Sequence, residues 1–446
     1  MRRVLSALAL LVIVAPRLAS AQALRDRLGH LFIFGPGDDP LFLSGSASAN
    51  NPATIRAHGT HFVPAAVSQN GAIIGFLTEA LGSAVANVPV SATSGGETFH
   101  FEGGVPVRTS ASAGPIFAER AQTLGRGRLL TGVGRSQFHF NTLRGVPLDA
   151  IDLVFTHENV DFDGCDAQFN ADCAQMGVPA LENDIMLFRL SLDLDVAVTS
   201  FYATYGLTDR LDVGLVVPLV GTHLHGRSSA QVVPFGGPTA AHFFAGTPES
   251  PVLGATRDES GSAFGVGDVS VRAKFLVRQS PSGANVALLA DARFATGDAD
   301  DLLGAGNFAA RGLVVLSGRQ GNFSPHANVG YAFRQGDAQT DAVVAIAGFD
   351  QLLGRGVTLA ADLLSDLQVG HSTLRLPETV HFDTPFQRQV EPTNIPDVRD
   401  DLVSGSFGMK YVPKDDVTLI ANLLVPLNRG GVRSRASLTF GAEYTF

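Results

Sequence analysis

Residues 436–446 at the end of the chain read ASLTFGAEYTF, and every second side chain, beginning with Ala436, is apolar. Successive side chains of a β-strand point to opposite faces, so Phe440 and Tyr444 would share one face while Glu443 lies on the other. The stretch therefore predicts a strand with one apolar face and one polar face.

The same alternation recurs in eight stretches further upstream. Their apolar faces carry no charged residue, so the opposite faces hold all of their Lys, Arg, Asp and Glu. Several run longer than the about five or six residues typical of soluble strands, and they reach the roughly 9–11 residues that a tilted strand needs to cross a membrane. The stretches are residues 186–198, 211–219, 269–277, 286–294, 323–333, 357–363, 403–411 and 417–427.

Composition excludes several classes of protein. Charged residues make up 17% of the chain, against about 25% in a typical soluble protein. The net charge of −10 has the wrong sign for a surface that binds nucleic acid. After residue 23 no apolar run approaches the roughly 18–20 residues of a membrane-spanning helix, so a helical transporter is excluded.

The N-terminus predicts export. Arg2 and Arg3 precede an apolar run over residues 4–15, and Ala19-Ser20-Ala21 has the small residues of a cleavage site. These are the features of a secretory signal peptide, residues 1–21. Together with the strand pattern, they predict the outer membrane of a Gram-negative bacterium as the destination.

The apolar faces of these strands require an apolar medium on one side of the sheet, and a lipid bilayer provides one. In lipid every backbone N–H and C=O must be paired, and a closed sheet achieves this. We therefore expect an all-β fold, a transmembrane antiparallel β-barrel that is apolar outside and polar inside, with short periplasmic turns and long extracellular loops. A secreted β-sandwich or solenoid is the alternative.

Counting back from Phe446 gives twelve strands, the first at about residues 127–140, within a barrel over residues 126–446. Tight turns are expected near residues 207–209, 278–283, 318–322, 351–354 and 413–415. Long loops are expected at roughly residues 142–184, 222–263, 297–307, 334–341 and 367–399. Residues 22–125 have weaker patterns, and they would add a hairpin, giving fourteen strands, or fold into the lumen as a plug.

The polar faces of the strands predict a lumen with balanced charge. Such a set would form ion pairs between strands that stiffen a narrow barrel, or a polar translocation path with little ion selectivity. The positive candidates are Arg189, Arg272, Lys274, Arg293, Lys410 and Arg435, and the negative ones are Asp193, Asp195, Asp212, Asp291, Asp362 and Glu443.

Three smaller groups could carry chemistry. Cys165 and Cys173 lie in an acidic loop, where export favours a disulfide and the aspartates leave Ca²⁺ binding as an alternative. His223 and His225 could begin a metal site, but the sequence shows no third ligand nearby, so a pair at the end of a strand is favoured and no metal or cofactor is predicted. Three further residues share a face as in a lipolytic enzyme, but the alternation turns them inward and no catalytic role is expected; they are Ser324, His326 and Asn328.

Several stretches resemble outer-membrane transporters of the MetA pathway of phenol degradation, which are distantly similar to channels for fatty acids and aromatic hydrocarbons. The matching stretches are GPIFAERA at residues 114–121, YGLTDRLDV at 205–213, GDVSVRAK at 267–274, TGD and LLG at 296–298 and 302–304, VPLN at 425–428, and GAEYTF at 441–446.

The resemblance implies an outer-membrane channel for passive uptake of small hydrophobic or aromatic molecules, with no catalytic residues to carry over. The partners it implies are the lipid bilayer, a small apolar solute and the barrel assembly machinery, for which Phe446 and Tyr444 fit the C-terminal assembly signal. A structural or adhesion barrel with a closed lumen is the alternative, and a lipolytic enzyme is the third.

Overall fold

The computed structural model describes most of the chain from residue 112 onward and short pieces before it. The described residues are 23–35, 41, 43, 80–81, 99–102, 105–108, 112–156, 184–235, 242–280, 283–336, 340–354, 356–372, 374, 376, 379–382, 387–414 and 416–446. The predicted signal peptide and the loop with Cys165 and Cys173 lie outside these ranges.

Twelve antiparallel strands form a closed barrel, which confirms the predicted all-β fold and the count of twelve. Each strand pairs with the next along the chain, and the last strand pairs with the first, Gly441 opposite Gly134. The strands are β1 Leu129–Leu143, β2 Ile185–Gly206, β3 Leu211–Val233, β4 Ser270–Gln279, β5 Asn285–Arg293, β6 Ala309–Ser317, β7 Phe323–Arg334, β8 Ala342–Gly354, β9 Val357–Gln368, β10 Leu402–Lys414, β11 Val417–Pro426 and β12 Ser437–Thr445.

Among the described residues, four further strands extend the barrel sheet at one end, and three two-stranded sheets lie apart from it. The four are Val146–Pro147, Ile151–Thr156, Gly254–Val266 and Val432–Ser434. The small sheets pair Phe99–Glu102 with Val105–Arg108, Ala245–Thr247 with Ser250–Val252, and Val380–Phe382 with Arg388–Val390. Within the described ranges, the helical elements with both ends described are α1 Leu24–His30 and the 3₁₀ turn Leu148–Ala150. Across the described ranges, no helix has the length and apolar character needed to cross a membrane.

The two ends of the barrel differ as the sequence predicts. One end, the short-turn end, has only brief connections, such as residues 207–210 between β2 and β3 and residues 318–322 between β6 and β7. The other, the long-loop end, carries the long connections. The expected loop at residues 222–263 is wrong in part, because β3 continues to Val233 and Gly254–Val266 pairs with it.

Most of the barrel wall has the predicted orientation. Val271 and Phe440 face outward and are 46% and 58% exposed, whereas Arg272 and Glu443 face inward and are buried. The outward side chains form an apolar belt, which suits contact with lipid.

β2 and β3 contradict this orientation over part of their length. They are 22 and 23 residues long and extend beyond the other strands at the long-loop end. There Leu192 is buried, while Asp193 and Asp195 are exposed. Beyond the apolar belt the outside is water, so charged side chains are stable outside and the apolar face turns into the barrel.

Helix α1 and the turn after it fill the space inside this extension. The ring of Phe32 stacks on that of Phe188 at 4.5 Å between centroids, and Ser228 Oγ donates to the carbonyl of Leu31 at 2.5 Å. Gly226 allows the close approach, because a Cβ there would lie 2.6 Å from Leu31 Cδ1. The interior of the long-loop end is therefore apolar.

Candidate functional site in the barrel lumen

Residues 112–124, the lumen segment, lie inside the barrel without regular secondary structure. Their backbone N–H groups donate to side chains that point inward from the wall. Glu119 donates to Asn328 Oδ1 at 2.7 Å, and Asn328 Nδ2 returns a bond to the Glu119 carbonyl at 3.0 Å. Leu124 donates to Asp212 Oδ2 at 3.0 Å. The inward polar side chains thus provide hydrogen-bond partners for a buried backbone segment that belongs to no sheet or helix.

The side chain of Glu119 completes a group of charges on β3, β4 and β5. Its carboxylate lies 3.4 Å from Arg272 Nη1 and 3.6 Å from Lys274 Nζ. Lys274 also lies 3.8 Å from Asp212, and Arg272 pairs with Asp291. Positive and negative groups alternate across the lumen, so charge is neutralised locally.

Arg120 enters a second group of buried charges, on β7, β8 and β9. Its guanidinium is 2.5 Å from Asp350 Oδ2, and Ser112 Oγ also bonds this carboxylate. His326 lies between two carboxylates, with Nε2 2.6 Å from Asp362 Oδ1 and Nδ1 3.7 Å from Asp350 Oδ1. Asp350 therefore joins the wall to the lumen segment.

A third group lies on β2, β10 and β12. Lys410 Nζ is 3.8 Å from Glu443 Oε2, and the hydroxyl of Tyr202 donates to Glu443 Oε1 at 3.0 Å. Lys410 and Asp350 have no exposed surface, so at the height of these groups side chains and the lumen segment fill the barrel.

Eight of the twelve predicted lumen residues lie inside the barrel. Seven of them belong to the three ionic groups described above. The eighth, Arg293, lies 3.9 Å from Asp268. The eight residues are Asp212, Arg272, Lys274, Asp291, Arg293, Asp362, Lys410 and Glu443.

For the other four residues the prediction of a lumen position is wrong. Arg189, Asp193 and Asp195 lie on the outward face of the β2 extension, where Arg189 Nε bonds Asp152 at 2.7 Å. Arg435 precedes β12 and is exposed, because the alternation of that strand begins only at Ser437.

Glu119, Arg120 and Asp350 are lumen residues that the strand pattern did not predict. The sequence signal for the first two is that Glu119 and Arg120 are adjacent charged residues within an otherwise apolar stretch. Asp350 follows inward positions on β8 that are apolar, Val344 and Ile346, so no polar alternation marked it. Ser324, His326 and Asn328 do face inward as expected, and they are buried.

Above the charged groups, toward the long-loop end, the interior is lined by apolar side chains. Phe188 is the centre of this lining, since the rings of Phe32, Phe155 and Phe34 lie 4.5, 5.8 and 6.1 Å from it. The alternate residues 190–198 of β2 continue the apolar surface toward the charged groups. The lumen thus has an apolar outer part, followed by a part in which the charged groups share the interior with a second apolar cluster that includes Leu289, Val315 and Ile346.

Ion pairs also hold the long connection between β9 and β10 against the barrel end. Arg144 is buried and its Nε lies 2.7 Å from Asp400 Oδ1. Burial raises the pKa of the neighbouring Asp401 carboxyl, but hydrogen bonds from Arg399 and from the Gln368 N–H outweigh it, so this pKa is lowered overall. Asp401 therefore stays ionised at neutral pH.

Comparison with known proteins supports the resemblance seen in the sequence. The family model described as "Putative MetA-pathway of phenol degradation" matches residues 188–360. The family resemblance is confirmed. The matched region runs from the β2 extension to the start of β9, and it contains the wall residues Asp212, Arg272, Lys274, Asp291, His326 and Asp350 of the two charged groups that contact the lumen segment, but not Asp362.

Three solved structures are among those similar to the chain. A channel from Pseudomonas putida F1 is 13% identical, covering 73% of this chain and 98% of its own, with a TM-score of 0.39. A FadL homologue from Pseudomonas aeruginosa is 10% identical, with coverages of 72% and 90% and a TM-score of 0.32. The toluene transporter of Ralstonia pickettii is 12% identical, with coverages of 72% and 90% and a TM-score of 0.27. No curated protein matches the chain.

Proposed function

We propose that the chain is an outer-membrane channel for passive uptake of small hydrophobic or aromatic molecules. The observation that carries this proposal is the apolar interior of the long-loop end around Phe188. Pores for hydrophilic solutes have polar, water-filled interiors. An apolar lining instead offers an aromatic solute a surface on which it loses contact with water.

The direction of uptake follows from the ends of the barrel. Short turns face the periplasm in outer-membrane barrels, and long loops face outward. The long-loop end, with Phe188 and α1, would therefore receive the solute from outside. Below it the solute would pass the groups around Asp350 and Lys274, whose balanced charges give no reason for ion selectivity.

Passage requires two parts of the filled barrel to move: α1 and the turn after it, which occupy the apolar end, and the lumen segment, which acts as a plug. Side chains fill the barrel beside it, and the segment is held by hydrogen bonds and ion pairs such as those of Glu119 and Arg120. Water can replace such bonds as the segment shifts, since a hydrogen bond in a protein is worth only about 0.5–1.5 kcal/mol net. Weak retention of the solute would then allow release into the periplasm.

Uptake by intact cells tests this proposal. A strain that lacks the protein and the same strain expressing it are compared for initial uptake of phenol and of a sugar of similar size. We expect expression to accelerate phenol uptake severalfold and to leave sugar uptake unchanged. Equal phenol uptake by the two strains would contradict the proposal.

A closed structural or adhesion barrel is the second candidate, and the filled lumen around Asp350 favours it. Conductance across a planar bilayer separates the two functions, because a sealed barrel passes no current with or without phenol. We propose no enzymatic activity. Ser324 and His326 are buried inside the barrel, where lipid of the surrounding membrane does not reach them.

A further inference from the structure

Three potential metal ligands meet on the outer surface of the barrel. Nδ1 of His139, on β1, lies 3.0 Å from Oδ1 of Asp195 and 3.5 Å from Oδ1 of Asp193, both on β2. One ligand atom from each residue lies within 4.8 Å of the other two. All three side chains are exposed to solution, so an ion can reach them directly.

Two further histidines lie beside this group on β3. In the strand register His223 is opposite Asp195, and His225 is opposite Asp193. Both histidines are exposed on the same outward face. Side chains directly opposite each other in antiparallel strands have Cβ atoms about 4.5–5.5 Å apart, so either imidazole can reach an ion held by the aspartates.

Within the described part of the chain, the two aspartates have no positive partner other than histidine. They lie two residues apart on one face, where their charges repel each other. Among the residues that the structure describes, no lysine or arginine comes within ion-pair distance of either. The nearby Arg189 is bonded to Asp152, and Arg227 lies 3.7 Å from Asp258. A bound cation would remove the repulsion.

The position of the group keeps it in water. Phe264, Gly221 and Ala197 form one outward row across three strands, and Phe264 is 76% exposed, as expected at the edge of the apolar belt. Asp195 and His223 belong to the next row toward the long-loop end. The ligands therefore lie just beyond the lipid, on the side that faces outward.

We propose that His139, Asp193 and Asp195, with His223 or His225 as the fourth ligand, bind a divalent transition-metal ion such as Zn²⁺. Imidazole nitrogens together with carboxylate oxygens suit Zn²⁺ and its neighbours, whereas Ca²⁺ and Mg²⁺ take oxygen ligands. The ion would join β1, β2 and β3 where they extend beyond the lipid, and so stabilise the part of the barrel that encloses Phe188.

The test is calorimetric titration of the full-length, tag-free protein in detergent with ZnCl₂. We expect one Zn²⁺ per chain, and at least tenfold weaker binding in His139→Gln and in Asp195→Asn. Zn²⁺ should also raise the unfolding temperature of the unaltered protein more than that of either variant, because a ligand stabilises the state that binds it. His381→Gln, at an exposed histidine in another loop, is the matched control and should bind like the unaltered protein.

Two results would overturn the site. One is unchanged Zn²⁺ affinity in both His139→Gln and Asp195→Asn, and the other is Ca²⁺ binding as tightly as Zn²⁺. If a variant fails to form the barrel, the exposed pair His223→Gln and His225→Gln replaces it. A tenfold loss of affinity in that double variant supports the site, and unchanged affinity contradicts it.

Discussion

At the scale of single residues, the decisive feature is the set of buried charges that join the wall to the lumen segment. Asp350 contacts Arg120 and His326 at once and has no exposed surface. Removing one member of a buried ion pair leaves the other charge without compensation, at a cost of about 3–5 kcal/mol. An exposed pair contributes only about 0–1 kcal/mol.

Asp350→Asn should therefore destabilise the barrel by about 3–5 kcal/mol, while Asp152→Asn should change its stability by less than about 1 kcal/mol. Asp152 is the matched control, because it forms an exposed bidentate pair with Arg189. The free energy of unfolding in urea, measured in detergent micelles or lipid vesicles, checks both values. Equal losses in the two variants would show that the lumen network is not a structural link.

At the scale of elements, β2 shows how far alternation alone can predict a barrel. The pattern correctly separates two faces over residues 186–198, but it does not say which of them faces inward. Leu192 and Phe440 both belong to apolar faces, yet one is buried and the other meets the surroundings. The difference is the medium outside the wall, water for Leu192 and lipid for Phe440.

The strand count and the tight turns could be predicted because they depend on local sequence. The path of the lumen segment could not, since its contacts join residues far apart in the chain. Ala121, for example, bonds Ser317. The eight correctly placed lumen charges all belong to strands within the apolar belt. Arg189, Asp193 and Asp195 were misplaced because β2 alternates in the same way within the belt and beyond it. The alternation therefore does not show where the belt ends.

The lumen segment yields a prediction about transport. The backbone nitrogen of Ala121 lies 3.2 Å from Ser317 Oγ, so a disulfide between cysteines at these positions would fix the segment to β6. With Cys165 and Cys173 replaced by serine, Ala121→Cys with Ser317→Cys should lose most phenol uptake when oxidised and recover it on reduction.

Each single-cysteine variant should keep its uptake under oxidation and serves as the control. Full uptake by the cross-linked protein, with the disulfide verified by mass spectrometry, would show that the segment does not move during transport.

At the scale of the whole molecule, the fold combines a closed wall, an apolar receiving end and a charged middle. The wall explains how the chain resides in lipid, because every strand in the ring has two partners and no edge is left unpaired. The apolar interior around Phe188 explains why a hydrophobic solute would leave water at the outer end. The central claim is that this interior is the first part of the uptake path.

Phenol uptake by cells that carry Phe188→Asn or Leu187→Asn tests that claim most directly. The two residues are neighbours on β2, but Phe188 is buried in the apolar interior and Leu187 faces outward, so both variants place the same polar group on opposite sides of one wall. With rates normalised to the amount of folded barrel in the outer membrane, Phe188→Asn should slow phenol uptake severalfold and Leu187→Asn should leave it unchanged. Equal rates in the two variants and the unaltered protein would contradict the account.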